Sequence, residues 1–533
     1  MQTVILEDVE RIEVIRGPGA TLWGANAVNG VINVITKEAS DSIGMLASGT
    51  IGEHEDGTAS VRVGKQLSSD LYGRFYVNHH SEDSFTYLAD ESDAHDDWGI
   101  TSGGFRLDSD LGLKNSWTLQ GDLYDGKSHQ QVYPYWEEGA LLPQKVDDTI
   151  DLKGYNITGR WEHNNSEKNS ITFQVYFDHT DRQEIYIGQT HDTIDFDFQH
   201  RFQFMKRNDI VWGIGYRNID DSFNNTYMAS ILPDSRRVDL FSGFIQDEIN
   251  LIPRTLWLTL GTKIEHNEYT DTEIQPSARF LWKPKENQSV WASVSRAVRT
   301  PSRAEDGSKV VMGVVPSPPY PIIYAYGNKD MDAEEVLYWE TGYRFLSNSS
   351  FSFDATFFYN DYENLLDFVN TDPATINFMS GMTGSSYGLE FNTEWKPLEW
   401  LKTELNYSYI ELNMQSIPNK TTNTDIVAEN SSPQHQVSLR TAVDVTTTLR
   451  WNVMTRYVDE LKIPSAIAYQ TGKKVDAYTE IDTNIIWAPM KNLEVMLAGQ
   501  NLTDSKHLEF VNEYFTPAVE IERSFYLKIT WKQ

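Results

Sequence analysis

The sequence predicts an all-β fold, an antiparallel transmembrane β-barrel, and three features of the chain lead to this prediction. From about residue 43 onward, apolar and polar side chains alternate with a period of two. Short connections between these segments alternate with long ones. Aromatic residues make up 12% of the chain, and rings with a polar tip suit the two membrane–water boundaries of a barrel. The last segment, residues 523–531, has four apolar residues on one face: Phe525, Leu527, Ile529 and Trp531.

The alternating segments number 22, from residues 43–53 to residues 523–531. Several of the connections between them are too long to be tight turns. These long connections lie near 82–100, 126–152, 181–195, 219–237, 300–334, 362–385 and 413–433. The strand count puts all of them on the extracellular side of the barrel, with the short turns on the other side.

Composition limits the class of protein. The 533 residues contain no run of 18 apolar residues, so no transmembrane helix is predicted. The mean hydropathy of −0.48 agrees with a spanning barrel, because alternation averages apolar and polar faces. The net charge of −32 argues against nucleic acid as a partner. The chain has no cysteine, which excludes disulfides, zinc–thiolate sites and thiol catalysis.

One predicted loop is rich in carboxylates. A solvated acidic surface accounts for them, and a divalent-cation site is the alternative. The residues concerned are Glu82, Asp83, Asp90, Glu91, Asp93, Asp96 and Asp97. The chain also has no His-Glu-x-x-His motif, so neither a metal site nor a cofactor is assigned.

Residues 10–37 carry the most specific pattern of the chain, beginning Glu-Arg-Ile-Glu-Val-Ile-Arg-Gly-Pro-Gly-Ala-Thr-Leu-Trp-Gly. They strongly resemble the end of the plug domain of TonB-dependent outer-membrane receptors. Residues 244–248, 295–302 and 501–504 resemble barrel motifs of the same family, in the same order. The barrel of that family has 22 strands, so the count of segments is not independent of the resemblance.

The resemblance implies how the chain is organised and where it lies. Residues 1–38 are expected to be the C-terminal part of a plug domain, and residues 39–533 a 22-stranded barrel in the outer membrane of a Gram-negative bacterium. The first residues lack a signal peptide, so we expect a chain truncated within the plug. The signal, the Ton box and most of the plug would then lie upstream. The implied partners are outer-membrane lipid, TonB through that Ton box, and a small-molecule metal chelate or similar ligand.

Two barrel glutamates are expected to face the lumen. Alternation puts Glu340 and Glu390 on the polar faces of their strands. The family pairs plug arginines with glutamates in strands of this kind, so the resemblance implies that Arg16, Glu340 and Glu390 form an ion lock between plug and barrel. If such a pair is partly buried, stranding one partner costs about 3–5 kcal/mol. The alternative is that these charges are solvated in a wet channel.

The connection 300–334 is rich in proline and tyrosine. Prolines stiffen a loop, and rigid aromatic rings grip a ligand with little loss of entropy. Tyr320, Tyr324 and Tyr326 are therefore candidate ligand-binding residues. A stiff loop with a purely structural role is an equal alternative.

The resemblance implies energised import of a scarce nutrient, most often a ferric siderophore, without bond chemistry or catalytic residues. Residues 384–388 fit the Gly-x-Ser-x-Gly pattern around Ser386 literally, but a period-two strand follows where a nucleophile elbow needs a helix. The chain is therefore not expected to be an enzyme. The rival hypothesis is an uptake-incompetent barrel, either a passive pore or a surface adhesion module.

Overall fold

The computed structural model describes residues 4–54, 57–112, 114–135, 142–315, 318–347, 350–416, 423–465, 474–511 and 517–533. Strands dominate these described residues. In chain order they are β1 Val9–Arg16, β2 Gly30–Thr36, β3 Gly44–Gly52, β4 Gly57–Ser68, β5 Leu71–Glu82, β6 Thr86–Tyr87, β7 Trp98–Leu111, β8 Asn115–Val132, β9 Val146–Ser166, β10 Asn169–Gln183, β11 Gly188–Phe204, β12 Asn208–Asn224, β13 Ala229–Ile231, β14 Ser235–Ile252, β15 Leu256–Asn267, β16 Asp271–Lys285, β17 Gln288–Arg299, β18 Ser308–Val314, β19 Ile322–Tyr326, β20 Glu334–Ser347, β21 Phe351–Asp372, β22 Thr375–Leu398, β23 Leu401–Ser416, β24 His435–Thr446, β25 Leu449–Val458, β26 Tyr478–Met490, β27 Leu493–Gln500, β28 Lys506–His507, β29 Val519–Glu522 and β30 Ser524–Lys532.

The helices in these ranges are short. They are α1 Ala20–Trp23, α2 Arg303–Gly307 and α3 Thr424–Asn430, with 3-10 turns at Leu6–Asp8 and Ala39–Ser42. None of the helices among the described residues is both long and apolar enough to cross a membrane.

Twenty-two of the strands in the described residues close into one antiparallel barrel. Its first strand, β3, pairs with β4 on one side and with the last strand, β30, on the other. The predicted fold class is therefore confirmed. The other members of the wall are β5, β7–β12, β14–β17 and β20–β27.

Side chains in the wall alternate as predicted. In β30, Phe525, Leu527 and Ile529 are exposed on the outer surface, whereas Ser524 and Thr530 are buried on the inner side. Apolar side chains therefore face lipid and polar ones face the lumen.

Two of the predicted long loops are wrong. The connection predicted at 181–195 is reduced to residues 184–187 between β10 and β11, and that at 362–385 to residues 373–374 between β21 and β22. Backbone pairing continues above the membrane, where both faces of a strand meet water. The apolar alternation that identifies a strand in the sequence therefore stops before the strand does.

The extracellular rim carries additional short strands. β13, β18 and β19 extend the barrel sheet, with β18 pairing to β13 and to β19, and β19 running parallel to β22. β6, β28 and β29 form a separate three-stranded sheet from loops distant in sequence.

The N-terminal segment, residues 4–42, contains a strand, a short helix and a second strand. β1 and β2 form an antiparallel two-stranded sheet in which Val14 lies opposite Ile32. Four of the residues 31–35 are apolar, a pattern typical of a strand buried on both faces, but Ile32 is 63% exposed. A parallel or sandwiched strand is covered on both faces, but this sheet has only two strands among the described residues and leaves one face open. Helix α1 packs against β14, β15, β16 and β17, so the segment lies within the barrel.

Candidate functional site

Two glycines of the N-terminal segment pack closely against the wall. Gly17 has φ of +68°, and a Cβ there would lie 2.7 Å from the Tyr338 ring. Gly24 has φ of +86°, and its Cβ would lie 2.8 Å from the Lys263 Nζ. Both positions need a residue that adopts positive φ and has no side chain. Gly17 and Gly24 therefore let the backbone of the segment approach the barrel wall.

Arg16 and Glu390 are in direct contact, with the arginine Nη1 2.7 Å from the glutamate Oε2. The Arg16 side chain is 51% exposed and that of Glu390 28%. A pair this open to solvent is worth about 0–1 kcal/mol. The expected cost of a few kcal/mol for stranding one partner, which assumed partial burial, does not apply to this pair.

Glu340 lies on the same inner face but is not within ion-pair distance of Arg16. Its carboxylate accepts a hydrogen bond from the Tyr338 hydroxyl at 2.7 Å and another from the Trp291 indole nitrogen. Tyr338 is also the residue against which Gly17 packs. Glu340 therefore reaches the N-terminal segment through a tyrosine, and the structure does not bring the three proposed lock residues into one cluster.

A more buried ion cluster lies at the other end of the segment. Asp8 accepts a hydrogen bond from Arg62 at 2.6 Å, and the Arg74 Nε lies 3.7 Å from its second oxygen. All three residues are buried. Arg74 also donates to the Lys37 carbonyl oxygen at 2.7 Å. Removing one partner of such a buried group costs about 3–5 kcal/mol.

Sequence reasoning missed both Asp8 and Tyr338. Tyr338 shares the inner face of its strand with Glu340, so the period-two pattern contained the signal. Arg62 and Arg74 are polar positions between outward-facing Val61, Val63 and Phe75, which marks them as lumenal in the same way. That Asp8 meets them depends on the folded position of the N-terminal segment.

Further hydrogen bonds fix the middle of the segment. The Asn26 backbone N–H donates to the Val298 carbonyl at 2.8 Å, and its side-chain oxygen accepts from the Thr300 N–H at 3.1 Å. The hydroxyls of Thr21 and Ser277 lie 2.7 Å apart. The segment is thus tied to β16 and β17 as well as to β4 and β5.

Two of the three candidate tyrosines lie next to each other, and the third lies outside their strand. Tyr324 and Tyr326 lie on β19 with ring centroids 5.9 Å apart, and the Lys309 Nζ sits 4.3 Å from the Tyr324 ring centroid. Tyr320 precedes this strand and is exposed. The pairing of β18 and β19 with the rest of the sheet, rather than proline alone, holds this connection in place.

Arginines at the extracellular ends of the strands are bound to carboxylates. Arg299 contacts Glu305 at 2.7 Å and Glu334 at 2.6 Å, and Arg303 contacts Asp221 at 2.8 Å. Burial of the Glu305 carboxyl opposes its ionisation, but hydrogen bonds from Arg299 and from the Ser302 backbone prevail and hold its pKa below the ordinary value. Ser302 and Glu305 also form the capping box of α2.

The acidic loop between β5 and β7 uses its carboxylates for its own hydrogen bonds. Asp96 accepts from the Phe85 N–H at 2.9 Å, and Asp93 accepts from the His95 N–H at 2.7 Å. Burial raises the pKa of Asp96, and a backbone hydrogen bond lowers the pKa of Asp93. These contacts stabilise the conformation of the loop.

One trio in the described residues has the geometry of a metal site. Glu480, His507 and Glu509 offer ligand atoms within 4.8 Å of one another. The Arg456 guanidinium already contacts both carboxylates, at 2.8 Å for Glu509. A cation would have to share them with this fixed positive charge.

Ser386 does not lie on a nucleophile elbow. It is fully buried within β22, where it is hydrogen bonded to Asn360 at 2.9 Å and to Tyr362 at 3.2 Å. The strand continues to Leu398 without the helix that an elbow needs.

A closed 22-stranded barrel whose lumen holds an N-terminal segment through ion pairs and hydrogen bonds defines the class of plugged outer-membrane barrels. The family model described as TonB dependent receptor-like, beta-barrel, matches residues 47–502. The chain belongs to this family of transport receptors, and its location is the outer membrane of a Gram-negative bacterium. The predicted family and location are confirmed.

Named relatives are distant in sequence. The probable TonB-dependent siderophore receptor PirA of Acinetobacter baumannii is 22% identical over 74% of this chain and 59% of its own length. The ferrienterobactin receptor of Escherichia coli is 23% identical over 68% of this chain and 56% of its own. The chain thus spans less than two thirds of the length of these curated relatives.

Solved structures show the same fold. The FrpB iron transporter from Neisseria meningitidis has a TM-score of 0.80 at 13% identity, covering 99% of this chain and 88% of that one. The siderophore receptor PirA from Acinetobacter baumannii has a TM-score of 0.76 at 15% identity, covering 100% and 86%.

Proposed function

We propose that this chain is the barrel and part of the plug of a TonB-energised receptor that imports a ferric siderophore. The observation that carries the proposal is the N-terminal segment seated in the lumen by both a buried and an exposed ion pair. A segment held in this way closes a passage and can still be released in part. Relatives named as siderophore and enterobactin receptors support the choice of ligand.

In this proposal residues 1–38 belong to the plug and residues 39–533 to the barrel. Arg16 and Glu390 form the contact that releases first, with Glu340 acting through Tyr338. Tyr320, Tyr324 and Tyr326 are rim residues that a ligand meets on entry. The partners of the whole protein are outer-membrane lipid, TonB and a small metal chelate, and the chain itself performs no bond chemistry.

The test is growth under iron starvation on a panel of ferric chelates, with the gene encoding this chain present or deleted. We expect one or more chelates to support growth only when the gene is present, and only while the inner membrane is energised. If solutes unrelated to iron cross equally well without energy, the protein is a passive pore and the proposal fails.

A further inference from the structure

Arginines at the extracellular mouth are already paired with carboxylates of this chain. Five arginines on the inner side of the mouth each contact one or two carboxylates. Arg236 contacts Asp306 at 3.1 Å and Glu268 at 3.3 Å. The other four are Arg182 with Glu184, Arg299 with Glu305 and Glu334, Arg303 with Asp221, and Arg456 with Glu480 and Glu509.

The dipeptide Arg236-Arg237 is divided between two faces of the wall. Arg236 and Arg237 are adjacent in β14, so their side chains point to opposite sides of the wall. Arg236 reaches Asp306 in α2, whereas Arg237 pairs with Asp220 and is 66% exposed. The two guanidinium groups therefore do not act together on one ligand.

Acidic groups prevail where the mouth has a cleft. A cavity of about 760 Å³ lies between the β15–β16 turn and residues 329–335. Its lining has six carboxylates, against the two permanent cations Arg236 and Lys329. The carboxylates are Glu268, Asp271, Glu273, Asp330, Asp332 and Glu335. Glu268 pairs with Arg236, and Glu273 and Glu335 pair with Arg296. Asp271, Asp330 and Asp332 remain in excess over Lys329, so the field in this cleft is negative.

We infer that the ligand of this receptor is a ferric chelate without net negative charge, either neutral or cationic. This rests on the proposed function and adds the charge class of its ligand. A polyanionic chelate, such as one with several catecholate groups, would meet the excess carboxylates. It could obtain a guanidinium partner only by breaking an existing ion pair, and the carboxylate released would then repel it.

A cationic or neutral chelate meets neither obstacle. The negative field raises the local concentration of a cation at the mouth and speeds its association. The mouth therefore selects by charge before any specific contact forms.

The test uses the purified receptor in detergent and one linear trihydroxamate ferric chelate with a terminal amine. The amine is left protonated, acetylated or succinylated, which gives a cationic, a neutral and an anionic ligand with the same metal centre. A ferric tris-catecholate completes the series. We expect the cationic and neutral members to bind at least about tenfold more tightly than the anionic one, with the tris-catecholate weakest.

A charge variant and its matched control localise the effect. The double variant Asp330→Asn/Asp332→Asn should reduce the difference in affinity between the cationic and the anionic ligand. Asp209→Asn/Asp444→Asn removes the same charge at the periplasmic turns and should leave that difference unchanged. Tightest binding of the tris-catecholate or of the succinylated chelate overturns the inference alone. Failure of the whole series to bind overturns the proposed function and this inference with it.

Discussion

The Asp8 carboxylate accepts a hydrogen bond from Arg62 at 2.6 Å, and the side chains are 4% and 9% exposed. The contact between Arg16 and Glu390 is similarly short, at 2.7 Å, but the Arg16 side chain is half exposed. Two ion pairs of similar geometry therefore differ in strength because water screens only one of them. The N-terminal segment is anchored firmly at one end and loosely at the other.

Asp8→Asn should strand two buried arginines and destabilise the docked segment by about 3–5 kcal/mol. Hydrogen exchange of residues 4–16 measures this, as loss of protection without loss of the barrel. Glu13→Gln is the matched control, because Glu13 pairs with Arg11 on the surface of the same segment and should leave the protection of the segment almost unchanged. Equal effects of the two substitutions would contradict the assignment of Asp8 as the anchor.

Arg16→Ala should loosen the other end only slightly and raise the leak of small solutes. A double-mutant cycle with Glu390→Gln should give a coupling energy of about 0.2–1 kcal/mol, because the pair is open to solvent. Liposome swelling measures the leak and hydrogen exchange the coupling. An unchanged leak would remove Arg16 from the closure of the lumen, and a coupling of several kcal/mol would require a pair more buried than the structure has.

Gly17→Ala should lower the stability of the docked segment more than Gly112→Ala lowers that of the barrel. Both glycines have φ near +70°, so both substitutions carry the left-handed cost of about 1–2 kcal/mol. At Gly17 the added methyl also collides with the Tyr338 ring at 2.7 Å, whereas nothing lies within 4 Å of it at Gly112. Thermal unfolding measures the loss of stability in each variant. Equal losses would show that the Tyr338 ring moves aside without an energetic cost.

The anchorage of α2 should depend on pH through Glu305. Its folded pKa is held below the ordinary value of about 4.3, so the folded form favours the ionised carboxylate. The resulting stability is complete above the ordinary pKa and is lost as pH falls through the lower folded pKa. Hydrogen exchange of residues 302–314 at decreasing pH should follow this loss, and Glu305→Gln should abolish the pH dependence. If the pH dependence of hydrogen exchange is the same in the Glu305→Gln variant, other titratable groups cause it.

Sequence reasoning predicted the parts of the fold that membrane contact imposes. β3, expected at 43–53, runs from Gly44 to Gly52, because lipid requires its alternation. The same reasoning failed above the membrane, as in the hairpin of β21 and β22, because water meets both faces of the strands there. The lumenal position of Glu340 followed from alternation, and that of Tyr338 on the same strand could have been found in the same way. The partner that Arg62 finds in Asp8 could not. Which residue of a separate segment meets a lumenal charge depends on docking, and periodicity does not encode it.

The central claim is that the seated segment must move for an energised barrel to import its ligand. The chain has no cysteine, so Thr21→Cys/Ser277→Cys introduces a unique pair where two hydroxyls now lie 2.7 Å apart. Import of a radio-iron chelate is measured in energised cells carrying this variant of the whole gene, oxidised and then reduced, with each single variant as control. The account predicts that the closed disulfide stops import while chelate still binds, and that reduction restores it. Import at an equal rate with the disulfide closed would contradict it.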